Sequence, residues 1–207
     1  MTDGCVRPDS YSELMNIAVL YAYPNDNGYN HAILDSVMQG LEDNPARHSV
    51  TVVDLYRENF DPVLRFDENH LRRNLNIDPD TERYRRIITD ADLFVFIFPI
   101  WWSGMPAILK GFIDRVFSKG FAYVYRGVLP KGLLKGKKAW IITTNDTPGF
   151  YARLFEPDYG KVLHHQILKI MCGVTTIKHH QMSFLRRSTP RKRTRFLTKV
   201  RNYASKL

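Results

Sequence analysis

Two adjacent tryptophans stand at the end of the most apolar run of the chain, in the stretch Pro99-Ile100-Trp101-Trp102-Ser103-Gly104. A flat heterocyclic ring could stack on such side chains while nearby backbone amides bind its polar edge. The alternative is that both indoles only fill space over the helix that follows. Residue type alone favours neither interpretation.

A second candidate site is the Asn- and Gly-rich loop of residues 23–30, which leads into a helical pattern. The free amides and positive dipole end of a helix N terminus suit a phosphate. Asn27, Gly28, Tyr29 and Asn30 could donate hydrogen bonds to it. The spacing fits neither the P-loop nor G-x-G-x-x-G, so an ordinary turn with a helix cap is the alternative.

The histidine and cysteine patterns predict no metal site. His164-His165 and His179-His180 are adjacent pairs, whose side chains diverge in either a strand or a helix. Cys5 in the polar leader and Cys172 inside an apolar run make neither a disulfide framework nor a metal set, so we expect reduced thiols. No Ser or Cys nucleophile motif appears. The first residues do not have the pattern of a secretory signal, so we expect a cytoplasmic protein.

Short apolar runs that alternate with helical patterns would position these residues. The predicted strands are residues 16–22, 49–55, 92–98, 139–144 and 175–182. The predicted helices are a first one containing residues 33–41, then 79–90, 106–120 and about 159–171, and a final basic helix. This alternation is typical of an open, doubly wound five-stranded parallel sheet of the α/β class. In the order 2-1-3-4-5, ligands bind beyond the carboxyl ends of the strands, so loops 23–30, 99–104 and 145–151 should converge.

The remaining segments suggest how the chain is organised. Residues 1–14 are polar and predict a flexible leader before a single domain over residues 15–207. Residues 119–138 have no clear helix or strand period, so we expect an extended excursion, a feature that usually has a function or a partner. The apolar run of residues 93–102 is too short to span a membrane.

The charge balance is basic, with 30 Lys and Arg against 21 Asp and Glu, and the excess lies mainly in residues 72–86 and 186–206. This balance favours anionic partners. The absence of an accompanying aromatic pattern disfavours nucleic acid and favours a solvated helix face. A third interpretation is attraction of the phosphates of a nucleotide cofactor.

Residues 98–125, FPIWWSGMPAILKGFIDRVFSKGFAYVY, resemble the NAD(P)H:quinone oxidoreductase family, which includes bacterial drug-activity modulators and potassium-efflux ancillary proteins. Weaker similarity extends through loop 23–30 and Thr143-Thr144 to most of residues 16–182. The resemblance implies a flavodoxin-like fold with non-covalent flavin, either FAD or FMN. It also implies NAD(P)H as co-substrate and a quinone or similar small molecule as acceptor.

The resemblance further implies three groups of flavin-binding residues. They are Tyr23, Asn27, Gly28, Tyr29 and Asn30 on the phosphate side; Pro99, Ile100, Trp101, Trp102 and Ser103 beside the ring; and Thr143, Thr144, Asn145 and Asp146 at its far edge. The chain departs from the family pattern in each outer group. The family has His at position 23, a small hydroxyl residue at 28 and usually two glycines at 145 and 146.

For catalysis, the resemblance points to Tyr151, which matches a family tyrosine that contacts the reduced flavin and the acceptor. The partnering His of the family is replaced by Pro157. Tyr123 and Tyr125 match aromatic residues that line the acceptor pocket from a neighbouring subunit, which implies a homodimer; packing within one chain is the alternative. The missing His leaves open a rival function, a non-enzymatic regulatory or ancillary subunit.

Overall fold

The computed structural model describes residues 14–68, 71–155 and 161–207, and the predicted leader up to residue 13 lies outside them. The strands are β1 (Asn16–Tyr21), β2 (Ser49–Asp54), β3 (Leu93–Pro99), β4 (Tyr123–Arg126), β5 (Leu129–Gly132), β6 (Lys138–Thr144) and β7 (Thr175–Met182). The α-helices are α1 (Tyr29–Glu42), α2 (Glu82–Asp90), α3 (Ala107–Val116), α4 (Gly149–Phe155) and α5 (Pro190–Ala204). Arg72–Ile77 and Pro79–Thr81 form short 3₁₀ helices, and Val162–Cys172 forms a π-helix.

The central sheet has five parallel strands in the order β2-β1-β3-β6-β7. Without the two hairpin strands β4 and β5, this is the order 2-1-3-4-5 that the sequence predicts. Strand order reverses between β1 and β3, so a crevice for a ligand is expected beyond their carboxyl ends.

Helices cover both faces of the sheet, which explains why the strands read as continuous apolar runs. All seven residues of β3 are buried, and they alternate between two cores. Phe94, Phe96 and Phe98 pack with α2, α3 and the π-helix, whereas Val95 and Ile97 pack with α1 and α5. No helix in the described ranges is long and apolar enough to cross a bilayer.

The prediction for residues 119–138 was wrong in one respect, because they contain the antiparallel hairpin β4-β5. Its two-residue turn begins at Gly127, whose φ of 62° suits a tight hairpin. The hairpin also packs on the body of the molecule. A Cβ atom at Gly132 would lie 2.2 Å from the carbonyl carbon of Cys172, so glycine allows β5 to touch the end of the π-helix.

Two other segments differ from prediction. Loop 145–151 becomes helical at Gly149, where α4 begins. The helix predicted at about residues 159–171 is a π-helix that begins at Val162, and residues 159 and 160 lie outside the described ranges. Hydrophobic spacing did not reveal this change in hydrogen bonding, because Leu163, Ile167 and Met171 recur every four residues in the sequence, which suits an α-helix as well.

Candidate functional site

The three loops converge at the carboxyl edge of the sheet, as the sequence predicts. After β1, the amide of Ala22 donates to the carbonyl of Ile97 at 3.0 Å. After β3, the amide of Ile100 donates to the carbonyl of Thr144 at 2.7 Å. The Thr144 hydroxyl in turn donates to Oδ1 of Asn30, in the first turn of α1, at 3.1 Å. These bonds fix all three loops to one rigid edge.

The tryptophan loop is a tight turn closed by two backbone hydrogen bonds, at 2.9 and 3.0 Å, between Trp101 and Gly104. Its central residues, Trp102 and Ser103, have φ values of 49° and 60°. Each such left-handed residue costs about 1 kcal/mol without glycine. The Trp102 indole is fully exposed, with a relative exposure of 102%. Trp102 therefore does not fill space over α3, and a backbone of left-handed residues holds its ring in solvent.

The N terminus of α1 offers fewer phosphate ligands than predicted. Asn27 already donates its amide to Oδ1 of Asn25 at 2.7 Å, which forms a local turn. Tyr29 directs its hydroxyl to the carbonyl of Arg193 at 2.8 Å, and burial raises its pKa to about 12. The backbone amides of Gly28, Tyr29 and Asn30 have no acceptor among residues 14–68, 71–155 and 161–207, as is usual for the first donors of a helix.

Tyr23 and Gly28, which both depart from the resembling family, are in contact with each other. A Cβ atom at Gly28 would lie 2.4 Å from Cε1 of Tyr23 and 2.9 Å from its hydroxyl oxygen. Gly28 precedes α1 without a side-chain cap, so the tyrosine ring occupies the space that a capping side chain would need. The two departures are therefore one structural change.

Of the residues predicted at the far edge of the flavin ring, 143–146, three are already bonded to other parts of the protein. Thr143 and Thr144 are buried, and Thr143 shares a 2.9 Å hydrogen bond with Nε2 of His179. Asp146 accepts from both the backbone and the guanidinium of Arg186, each at 2.9 Å. These residues are occupied with other parts of the protein.

The fourth residue of this group, Asn145, has a side chain that could still bind a ligand. It is 5% exposed, and neither its side-chain nitrogen nor its side-chain oxygen has a partner among the described residues. A buried amide without partners costs about 1–3 kcal/mol, so a ligand that supplies them is expected. The amide group offers both a donor and an acceptor to such a ligand.

The three predicted pocket tyrosines lie on α4 and the hairpin. Tyr151 is in the first turn of α4 and is 45% exposed, while Pro157 lies outside the described residues. Tyr123 is half-buried against the core of its own chain, which agrees with the alternative of internal packing. Tyr125 is 49% exposed and meets the Tyr123 ring edge to face, at 5.6 Å between centroids.

The histidine pair of β7 diverges as strand geometry requires. His179 faces Thr143, whereas Nδ1 of His180 accepts from the indole of Trp140 at 3.0 Å on the opposite face of the sheet. Burial lowers the pKa of both histidines to about 4, so they are neutral at pH 7. Within the described ranges, no group of three His, Cys, Asp or Glu residues is placed to hold a metal ion. Sequence reasoning missed the hydrogen bond between His179 and Thr143. The two predicted strands that contain them are neighbours in the order 2-1-3-4-5, which could have indicated the contact.

Comparison with known proteins gives concordant results. A family model described as flavodoxin-like fold matches residues 15–207. A Haemophilus influenzae protein named uncharacterized NAD(P)H oxidoreductase is 38% identical over 169 residues, which cover 79% of this chain and 81% of the relative. The guinea pig (Cavia porcellus) NAD(P)H dehydrogenase [quinone] 1 is 31% identical over 67% of this chain, but the match spans only 56% of that longer protein. The crystal structure of Smu.1420 from Streptococcus mutans UA159 superposes with a TM-score of 0.87, at 46% identity over 93% of this chain and 100% of that one.

Proposed function

Since this chain belongs to the family of the flavodoxin-like fold, we propose that it is a flavin-dependent NAD(P)H oxidoreductase. It passes a hydride from NAD(P)H, through non-covalently bound FAD or FMN, to a quinone or similar small acceptor. The observation that carries the proposal is the convergence of three loops at the carboxyl edge of the sheet, where the buried side-chain amide of Asn145 has no partner among the described residues. The relatives are named as oxidoreductases, and they lend no support to a non-enzymatic ancillary subunit.

The residues of the site would bind and orient the flavin, which supplies the hydride chemistry when bound. The amides of Gly28, Tyr29 and Asn30 would hold its phosphate at the start of α1. Trp101 and Trp102 would stack against the ring, and Asn145 would hydrogen-bond its polar edge. Hydride transfer needs stacked reactants in close geometry and no protein acid or base, so Pro157 in place of the family His does not prevent the reaction.

NAD(P)H and the acceptor would occupy the same space in turn, which gives ping-pong kinetics. Tyr151, exposed on α4, would contact both of them. We place the exposed Tyr125, with the half-buried Tyr123 packed behind it, at the pocket of a second subunit in a homodimer. The hairpin turn beside them exposes Val128 by 90% and Leu129 by 70%, and exposed apolar side chains of this kind are typical of a protein contact.

The test is an absorbance spectrum of the purified protein before and after flavin reconstitution, followed by anaerobic addition of NADH or NADPH. Flavin bands that the nucleotide bleaches, and a quinone then restores, would support the proposal. A protein that takes up no flavin would refute it. Light scattering coupled to size exclusion tests the homodimer, because a flavin-loaded monomer with full activity would exclude a pocket shared between subunits.

A further inference from the structure

A wide groove of about 1640 Å³ runs between β7 and α5. Its cationic lining residues are Lys178, Arg191, Lys192, Arg195, Lys199 and Lys206. Among the described residues that line it, none is Asp or Glu. This groove therefore presents charge of one sign to any molecule that enters it.

The positive charge follows one stripe of α5. Arg191, Arg195 and Lys199 are spaced four residues apart, and like charges at this spacing destabilise a helix. Within the described ranges, none of the three has an ion-pair partner, whereas Arg201 on another side of α5 pairs with Asp43 at 2.8 Å. The uncompensated repulsion along the stripe would be relieved by an anionic ligand.

β7 contributes an open sheet edge to the same groove. It pairs with β6 on one side, and the described chain places no strand on the other. An edge strand has unpaired backbone donors and acceptors, and an extended peptide can pair with them. Lys178, His180 and Met182 line the groove from β7. The groove therefore combines a backbone template with a row of cations.

The spacings of these two features match. Four residues of α-helix rise about 6 Å, which separates successive cations of the α5 stripe. Alternate residues of an extended strand point to one side and are separated by about 6.6 Å. We propose that this groove binds an extended acidic segment of a partner protein, with Asp or Glu at alternate positions, which pairs with β7 and directs its carboxylates to α5.

Two other anionic or self-pairing partners fit less well. Proteins that bind single-stranded nucleic acid stack bases on exposed aromatic rings. The Phe and Tyr rings that line the groove are used in packing, since Phe196 is buried and Tyr203 packs on Trp140 at 4.7 Å between centroids. A second copy of this chain would bring the same six cations face to face across a twofold axis, which opposes association.

The experiment measures fluorescence anisotropy of a labelled eight-residue peptide, as long as β7, with Glu and Val in alternation. The comparison peptide has the same composition with its Glu residues in one block. The Arg195→Gln/Lys199→Gln variant should bind the alternating peptide roughly tenfold more weakly, since two charge contacts are lost. Arg86→Gln/Lys110→Gln removes the same charge from α2 and α3 and should bind it as the wild type does. Flavin content should be unchanged in both variants, so the result is independent of the proposed oxidoreductase function.

Hydrogen exchange reports the backbone pairing directly. The alternating peptide should slow the exchange of amides within Thr175–Met182, and the block peptide should not. Equal affinity for both peptides would overturn the proposal, because general attraction of polyanions would then explain binding. Tighter binding of a single-stranded oligonucleotide, or a groove variant that changes the oligomeric state, would overturn it in favour of nucleic acid or a second copy.

Discussion

Replacing Gly28 with serine is expected to destabilise the fold although serine is a better helix cap. The Cβ of the new side chain would meet Cε1 of Tyr23 at 2.4 Å, where ordinary contact begins near 3.4 Å. The half-buried ring must therefore retreat by about 1 Å. The ring is the outer end of a partly buried side chain, so its movement costs about 1 kcal/mol, at the low end for overpacking, while serine in place of glycine at a cap returns only a few tenths. The expected net loss is about 0.5–1 kcal/mol.

A double-mutant cycle isolates this contact. In the Tyr23→Ala background the ring is absent, so Gly28→Ser should be neutral or slightly stabilising, with a coupling energy of about 1 kcal/mol. The free energy of unfolding is measured by urea denaturation of the apoprotein. Gly149→Ser is the matched control, because its Cβ would lie no closer than 3.7 Å to Ser183.

Flavin titration of the same four proteins links the contact to function. Gly28→Ser should weaken flavin binding, since movement of Tyr23 disturbs the loop that precedes the α1 amides. If Gly28→Ser has the same effect on unfolding in both backgrounds, the ring does not occupy the cap space. Our account of the two family departures as one change would then be refuted.

Three further substitutions test other parts of the structure. Trp102→Ala should weaken flavin retention in dialysis. The free energy of unfolding of the apoprotein should change by less than about 0.5 kcal/mol, since the indole is exposed. A variant that retains full flavin and unchanged turnover would contradict stacking. Gly132→Ala should cost at least about 2 kcal/mol in urea denaturation, because the new methyl meets the Cys172 backbone, and an unchanged midpoint would show that β5 does not pack there. Wild-type stability should fall as pH decreases from 6.5 toward 4, because His179 stays neutral when folded and takes up a proton when unfolded. His179→Gln should reduce that slope in urea titrations across this range, and an identical slope would argue that the histidine is not buried neutral.

Most of the fold could be predicted because its signals are local. Continuous apolar runs marked the strands, and β7 was predicted with its observed bounds, Thr175–Met182. The hairpin β4-β5 was missed because its strands are four residues each, too short for a clear alternation. The π-helix was missed because Leu163, Ile167 and Met171 have a spacing in the sequence that an α-helix also has.

The candidate site divides in the same way. Residue types and loop positions in the sequence were enough to place Trp101, Trp102 and the start of α1 at one edge of the sheet, because parallel strands bring their carboxyl ends together. Only the tertiary structure determined which side chains remain available. It directs Tyr29 toward α5, pairs Asp146 with Arg186 and leaves the buried side chain of Asn145 without a partner in the described part of the chain. Hydrogen-bond partners come from segments far apart in the chain. Which side chains remain free to bind a ligand is therefore determined by tertiary packing and cannot be predicted from a local sequence pattern.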